Sequence, residues 1–324
     1  MKMDIDQATA AALRRWDLPP GCSAMIVNRS ENTTFRVDDP DTGGRWALRL
    51  HRSGYHSTLG IASELAWMTA LRRDSGVLTS VPVPGRDGEL IQDIASDDQS
   101  RPVHCVLFEW IEGTEPDPSA LADHFVELGE ISARMHRHAR GWTRPAAFER
   151  LTWDHDTALG ARPHWGRWQD GLGLTPDRRA LLERLSATLR RRLESFGKGP
   201  DRFGLIHADI RLANLLVAEG RIWVIDFDDC GFGWYLYDCA AALSFIEDRP
   251  DASDLIAAWL EGYRRRESLS TTEAAEIPTF VMLRRLLLLA WIGSHSDTDL
   301  ARQMGAPFAD GTCGLAETYL ASFG

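Results

Sequence analysis

The sequence predicts an α+β protein of two lobes: a smaller β-rich lobe over residues 1–112 and a larger, mainly helical lobe over 113–324. Three observations predict it. Strand-like runs and turn signals crowd the first third of the chain. Helical periodicity dominates after the connector Pro116-Asp117-Pro118. An island of short apolar strands interrupts the helices between Leu205 and Asp229.

Asp6 to Trp16 reads as a short amphipathic helix stopped by Pro19-Pro20. Ala24–Asn28, Thr34–Val37 and Trp46–Leu50 read as strands. The turn signal Asp38 to Arg45 joins the last two into an antiparallel ribbon. Ser57 to Arg73 has helical spacing through Ile61, Leu65, Met68 and Leu71, and Glu89–Asp93 and Val103–Ile111 read as two further strands. In the second lobe, Phe125–His138, Asp177–Phe196, Tyr237–Ile246, Ala252–Arg265 and Pro278–Gly293 read as helices. The stretch Leu151 to Gly173 is Trp-rich and irregular.

Composition narrows the function. The 324 residues carry 36 basic and 47 acidic side chains, a net charge of −11. That balance argues against nucleic acid or an anionic membrane as the main partner. The five cysteines are scattered, with no C-x-x-C pair, so neither a disulfide framework nor a structural zinc site is expected. The acidic start Met1-Lys2-Met3-Asp4 lacks the apolar core of a signal peptide. Leu286–Ser294 is too short to span a bilayer and reads as a buried helix. A cytoplasmic location follows as an expectation.

The chemistry concentrates in L-I-H-A-D-I-R-L-A-N-L-L-V-A-E-G-R-I-W-V-I-D-F-D-D, residues 205–229. Leu215–Val217 and Ile222–Ile225 are two apolar strands joined by Ala218–Arg221, with Gly220 placed for positive φ. Asn214 enters the first strand and Asp226 leaves the second, so both belong at the hairpin's open end. Paired strands lie roughly 4.8 Å apart. An amide oxygen and a carboxylate there suit a hard cation, which takes oxygen ligands at about 2.0–2.1 Å in the case of Mg²⁺. Asp209 lies on the loop feeding the same end. Phosphoryl transfer to a hydroxyl needs a metal to neutralise phosphate charge and a separate carboxylate to take the hydroxyl proton.

The spacing H-x-D-x-x-x-x-N, an apolar hairpin and then D-F resembles the aminoglycoside phosphotransferase family. This kinase-like superfamily also includes choline kinase, type II homoserine kinase and stress response kinase A. The likeness runs from about Ser23 to Phe245. It implies a protein-kinase-like bilobal fold and an ATP- and Mg²⁺-dependent transfer of the γ-phosphoryl group. The implied acceptor is a small-molecule hydroxyl: an amino alcohol, a hydroxy amino acid or an aminoglycoside-like antibiotic. The implied assembly is a monomer or homodimer.

Carried over residue by residue, the resemblance makes Asp209 the catalytic base, Asn214 and Asp226 the metal ligands, and His207 a brace for the loop. Relatives often carry Gly where this chain has Ala208. Asp228 joins the metal shell, lines the acceptor site or caps a turn. Asp238 braces the catalytic loop. Arg211 meets the transferring phosphate or an acceptor carboxylate, or forms a structural ion pair. On the nucleotide side, the resemblance makes Ser30, Asn32, Thr33 and Thr34 a glycine-free loop over the phosphates, whereas the residues by themselves read as an ordinary hairpin turn. Arg49 stands where the family places a phosphate-binding lysine, with Glu64 as its ion-pair partner. Glu109, Trp110 and Ile111 meet the adenine edge, and Leu216 and Ile225 floor it.

The segment from Trp153-Asp-His-Asp156 through Trp165-Gly-Arg-Trp168, joined by Trp234, Tyr235, Trp291 and His295, is either an aromatic and acidic wall for an amine acceptor or, the favoured reading, a packed helix junction. Rival functions are a protein Ser/Thr kinase, a non-catalytic nucleotide-binding module and an aspartate-nucleophile phosphatase that reads Asp226-Phe-Asp228 as D-x-D. Against the last, that motif normally sits near a chain start, before Thr or Val, whereas Asp229 and Cys230 follow here.

Overall fold

The computed structural model describes residues 5–29, 32–95 and 102–324. In chain order the elements begin with α1 (Ile5–Leu13), β1 (Ser23–Arg29), β2 (Thr33–Asp38), β3 (Arg45–Leu50) and α2 (Thr58–Ser75). β4 (Leu78–Thr79), β5 (Pro82–Val83), β6 (Gln92–Ile94) and β7 (Val103–Glu109) follow. Then come α3 (Leu121–Gly141), β8 (Leu151–Trp153), α4 (His155–Ala158), α5 (Pro176–Phe196), β9 (Phe203–Ile206), β10 (Leu215–Ala218), β11 (Arg221–Val224) and β12 (Gly231–Trp234). The chain closes with α6 (Tyr235–Ala242), α7 (Ala252–Arg264), α8 (Thr271–Ala274), α9 (Ile277–Ser294) and α10 (Asp299–Phe323).

Two compact units result. The first holds the chain up to Thr114 together with 143–150 and 216–228, and the second holds 115–142, 151–215 and 229–324. The first unit is built on an antiparallel sheet in the order β1-β2-β3-β7-β5, with β6 also pairing β7. Alternation drives it. Phe35 and Val37 of β2 and Leu48 and Leu50 of β3 pack with Trp16 and with Ala8 and Ala12 of α1. Arg49, between two core leucines, therefore faces the other side of the sheet. Its partner helix α2 starts on a Ser57 cap that accepts from Gly60 N–H at 2.9 Å, and stops at Gly76 in the left-handed region (φ 67).

The β10–β11 hairpin turns through Glu219 (φ 52) and Gly220 (φ 70), the two positive-φ positions that a tight two-residue hairpin needs. β11 pairs in parallel with β4, and Val217 exchanges backbone hydrogen bonds with Thr114 at 2.7 and 3.1 Å. Strand β6 starts at Gln92, three residues later than the sequence suggests, because Gly85–Glu89 closes a turn first.

The second unit is mostly helical around a small β8-β12-β9 sheet. Helices α3 and α7 approach to backbone contact. A Cβ at Gly262 would lie 1.8 Å from the Val126 carbonyl oxygen, and one at Gly129 would lie 2.0 Å from that of Trp259. Helix α9 is buried around most of its circumference, including Arg284 and Arg285. Helix α5 buries one stripe, Leu182, Leu185, Leu189 and Leu193. Trp153, Trp165, Trp168 and Trp234 are all buried, so these four pack the unit as the favoured reading anticipates.

Candidate active site

In the first unit, α2 and the hairpin bring three predicted residues together. Arg49 Nη2 donates to Glu64 Oε1 at 2.7 Å, and Arg49 Nη1 lies 3.6 Å from Asp226 Oδ1. Burial works against the Arg49 charge, but Glu64, Asp228 and Asp226 outweigh it and raise its pKa. The guanidinium also lies over the Phe108 ring at 5.2 Å. Asp226 itself is a non-glycine residue at φ 59, and its side chain is 40% exposed. A strained backbone that aims a carboxylate outward is the kind of outlier that gathers at functional sites.

Asp228 sits differently. Its side chain is buried, 3.7 Å from His51 Nδ1 and 3.5 Å from His56 Nε2, while its carbonyl accepts from Arg150. Burial opposes its charge, yet His56 and Arg49 hold its carboxyl below the usual range. His51 is pushed well down, first by burial and then by Arg49.

The remaining first-unit positions follow the sheet. Asn32 is buried, and its Oδ1 accepts from Arg52 N–H at 3.0 Å. Thr33 and Thr34 pair with Leu50 and Arg49 across β2–β3. Ser30 lies outside the described residues. Glu109 ends β7 and donates its N–H to Val81 O at 2.9 Å, with Trp110 and Ile111 following it out of the sheet. Leu216 on β10 and Ile225, which follows the end of β11 at Val224, are half-buried.

In the second unit, β9 delivers His207 and the turn after it. Asp238 of α6, fully buried, accepts from His207 N–H at 3.1 Å and Ala208 N–H at 2.8 Å. His136 Nε2 lies 2.9 Å from the same carboxylate, and its Nδ1 is 3.1 Å from the Tyr263 hydroxyl. Next along the loop, Asp209 Oδ2 accepts from Asn214 Nδ2 at 2.7 Å and Arg211 Nε at 3.3 Å, and Oδ1 accepts from Arg284. His207 Nδ1 accepts from Asp209 N–H at 3.3 Å, a bracing contact. The donors of Asn214 are taken up by Asp209, which leaves its amide oxygen as the end available to a cation.

Residues 26–270 match the description of the phosphotransferase enzyme family. The chain belongs to that family. A microcompartment-associated aminopropanol kinase shares 46% sequence identity at a TM-score of 0.90, covering 98% of this chain and 99% of its own. The homoserine kinase of Bradyrhizobium diazoefficiens is 30% identical over 261 residues, which is 78% of this chain and 73% of the relative. An amicoumacin kinase in complex with AMP-PNP and Ca²⁺, at 21% identity and a TM-score of 0.78, covers 96% of this chain and 93% of its own and shares the fold. This phosphotransferase thus has the protein-kinase-like α+β architecture of its family, and it is an enzyme of the kinase type with an alcohol group as acceptor.

Two features of the phosphotransferase site escape a sequence reading. Arg284 sits in an apolar helix and looks like a flank of the core. His136 lies 102 residues from its partner Asp238. No local spacing signals either one.

Ala208, by contrast, carries a visible signal. Its φ of 68 is the left-handed conformation, where a Cβ costs about 1–2 kcal/mol and glycine costs none. Ala208→Gly in this phosphotransferase is expected to raise unfolding stability by about 0.5–1 kcal/mol, after the added flexibility of the unfolded glycine is subtracted. Urea denaturation checks it, and a destabilised variant would show that the turn relaxes in solution.

Proposed function

We propose that this chain transfers the γ-phosphoryl group of ATP to the hydroxyl of a short amino alcohol in a Mg²⁺-dependent reaction. The observation that carries the reading is the bonding of Asp209: an anionic carboxylate gripped at both oxygens, on a loop in kinase register. In the proposed roles, Asp209 takes the acceptor proton as the oxygen–phosphorus bond forms and the bond to the β-phosphate oxygen breaks. Arg49, held by Glu64, meets the α- and β-phosphates as a fork rather than as the point charge of a lysine. Asn214 and Asp226 would hold Mg²⁺, which supplies charge neutralisation at the phosphates. Their donor set fits, since both offer hard oxygen. Among the described residues no cluster of three or more His, Cys, Asp or Glu forms a closed metal cage. A magnesium ion bound by few protein oxygens plus substrate phosphates needs none.

The amino alcohol is favoured by the 46% identity to an aminopropanol kinase over nearly the whole of both chains. A hydroxy amino acid is the second reading, favoured by the 30% identical homoserine kinase. ADP release measured with aminopropanol, ethanolamine and homoserine separates them. The expected kcat/KM for an amino alcohol exceeds that for homoserine by at least about tenfold, because an extra carboxylate must find a partner or lose its hydration. Turnover should vanish with a chelator and return with Mg²⁺. Homoserine as the better substrate would select the second reading, and transfer to none of the three would sink both.

A further inference from the structure

We infer that Arg284 is the positioning residue of the reaction: it orients the Asp209 carboxylate so that a single lone pair, on Oδ1, is left for the acceptor hydroxyl. The inference rests on the reading of Asp209 as the base. An ionised carboxylate offers about four lone-pair positions. On Oδ2, Asn214 Nδ2 at 2.7 Å and Arg211 Nε at 3.3 Å fill two. On Oδ1, Arg284 Nη2 fills a third. The carboxylate cannot rotate without breaking all three bonds, and the vacant position points where Arg284 does not.

Arg284 is itself locked. It is 1% exposed on α9, and Nε donates to Ser244 Oγ at 2.9 Å. Nη1 is 3.3 Å from both the Ala208 carbonyl and the Tyr237 hydroxyl, and the guanidinium lies 5.0 Å over the Trp165 ring. One planar fork therefore holds the base, the carbonyl of the strained residue before it, and two side chains of the surrounding helical region. A lysine has one ammonium and cannot span that set.

Its neighbour Arg285 serves as an internal contrast. Arg285 is equally buried, but it donates to Glu247 at 2.6 Å and Thr312 at 3.0 Å and lies over Phe308, with no catalytic-loop partner. Burying an arginine on α9 thus does not require the base as its partner. The Arg284 side chain is the one that reaches it.

The test compares Arg284→Lys, Arg284→Ala and Arg285→Lys by thermal melting, by calorimetric titration with Mg-ATP, and by kcat and KM for aminopropanol. For Arg284→Lys the expected result is a kcat about 100-fold lower, the scale on which a misplaced catalytic group slows reactions. KM for ATP should stay within about twofold, a split that loss of folding alone would not produce. Guanidinium ion at millimolar concentration should restore part of the turnover of Arg284→Ala and none of Arg284→Lys, whose ammonium fills the space. Arg285→Lys should lower the melting temperature and keep kcat. If Arg284→Ala fails to fold, the lysine variant and its kcat-to-KM split decide alone. A folded Arg284→Lys enzyme at parental kcat overturns the inference, as does an effect confined to the KM of the acceptor. Should Asp209→Asn also turn over normally, the base assignment itself is what fails. If that variant is inactive while Arg284→Lys is unaffected, only the positioning role fails.

Discussion

Asp209→Asn is expected to bind Mg-ATP with parental affinity and to lose turnover by about 10²–10⁴-fold, the range that a positioned general base contributes. The substitution keeps volume and planarity but removes the proton acceptor. It also disturbs the local bonding in a defined way. Oδ2 accepts from Asn214 and Arg211, and Oδ1 from Arg284. Whichever way the new amide turns, its NH₂ group faces a donor. At least one hydrogen bond is lost, at about 1–3 kcal/mol each. A melting temperature should therefore be recorded beside kcat, and calorimetry with Mg-ATP shows whether the nucleotide side is intact. A kcat within tenfold of the parent would remove Asp209 from the chemistry and leave it as the anionic partner of a buried arginine.

The hairpin and its flanking loop were the most legible part of this molecule, for a local reason. Asp209, Asn214 and Asp226 lie within 18 consecutive positions, and two short apolar runs with a glycine between them determine how the strands turn. The Arg49–Glu64 pair was legible through the family resemblance alone, since strand alternation turns Arg49 away from Leu48 and Leu50 but names no partner for it. What escaped is non-local or disguised. Arg284 is flanked by Leu283 and Arg285 and then four leucines, a pattern that reads as one buried helix with a charged flank. The β8-β12-β9 sheet pairs residues as distant as Leu151 and Gly231, and its central strand, Gly-Phe-Gly-Trp, has too much glycine to register as a strand. A Cβ at Gly231 would lie 2.4 Å from the Leu151 carbonyl oxygen, so close backbone approach explains that glycine. The grouping of 216–228 with the first unit is likewise invisible to a linear reading, because it depends on β11 pairing with the two-residue strand β4.

Asp238→Ala should be the most destabilising single change near the catalytic loop, at about 3–5 kcal/mol. The carboxylate is fully buried and serves three groups at once: the N–H of His207, the N–H of Ala208 and the ring of His136. Truncation leaves all three without that partner in an apolar surround, and each buried unsatisfied polar group costs about 1–3 kcal/mol. His136 cannot recover by ionising, since burial lowers its pKa. The Ala208 N–H also belongs to the residue in the left-handed region, so its bond to Asp238 holds the strained turn that presents Asp209. Asp238→Asn tests the same point more gently, because its amide oxygen can still serve the groups on one side while its NH₂ opposes at least one N–H on the other. Urea denaturation measures both variants, and kcat per folded molecule is read alongside. An unfolding free energy within about 1 kcal/mol of the parent for Asp238→Ala would contradict the scaffold role. Parental stability combined with lost turnover would move Asp238 from holding the loop to taking part in the transfer itself.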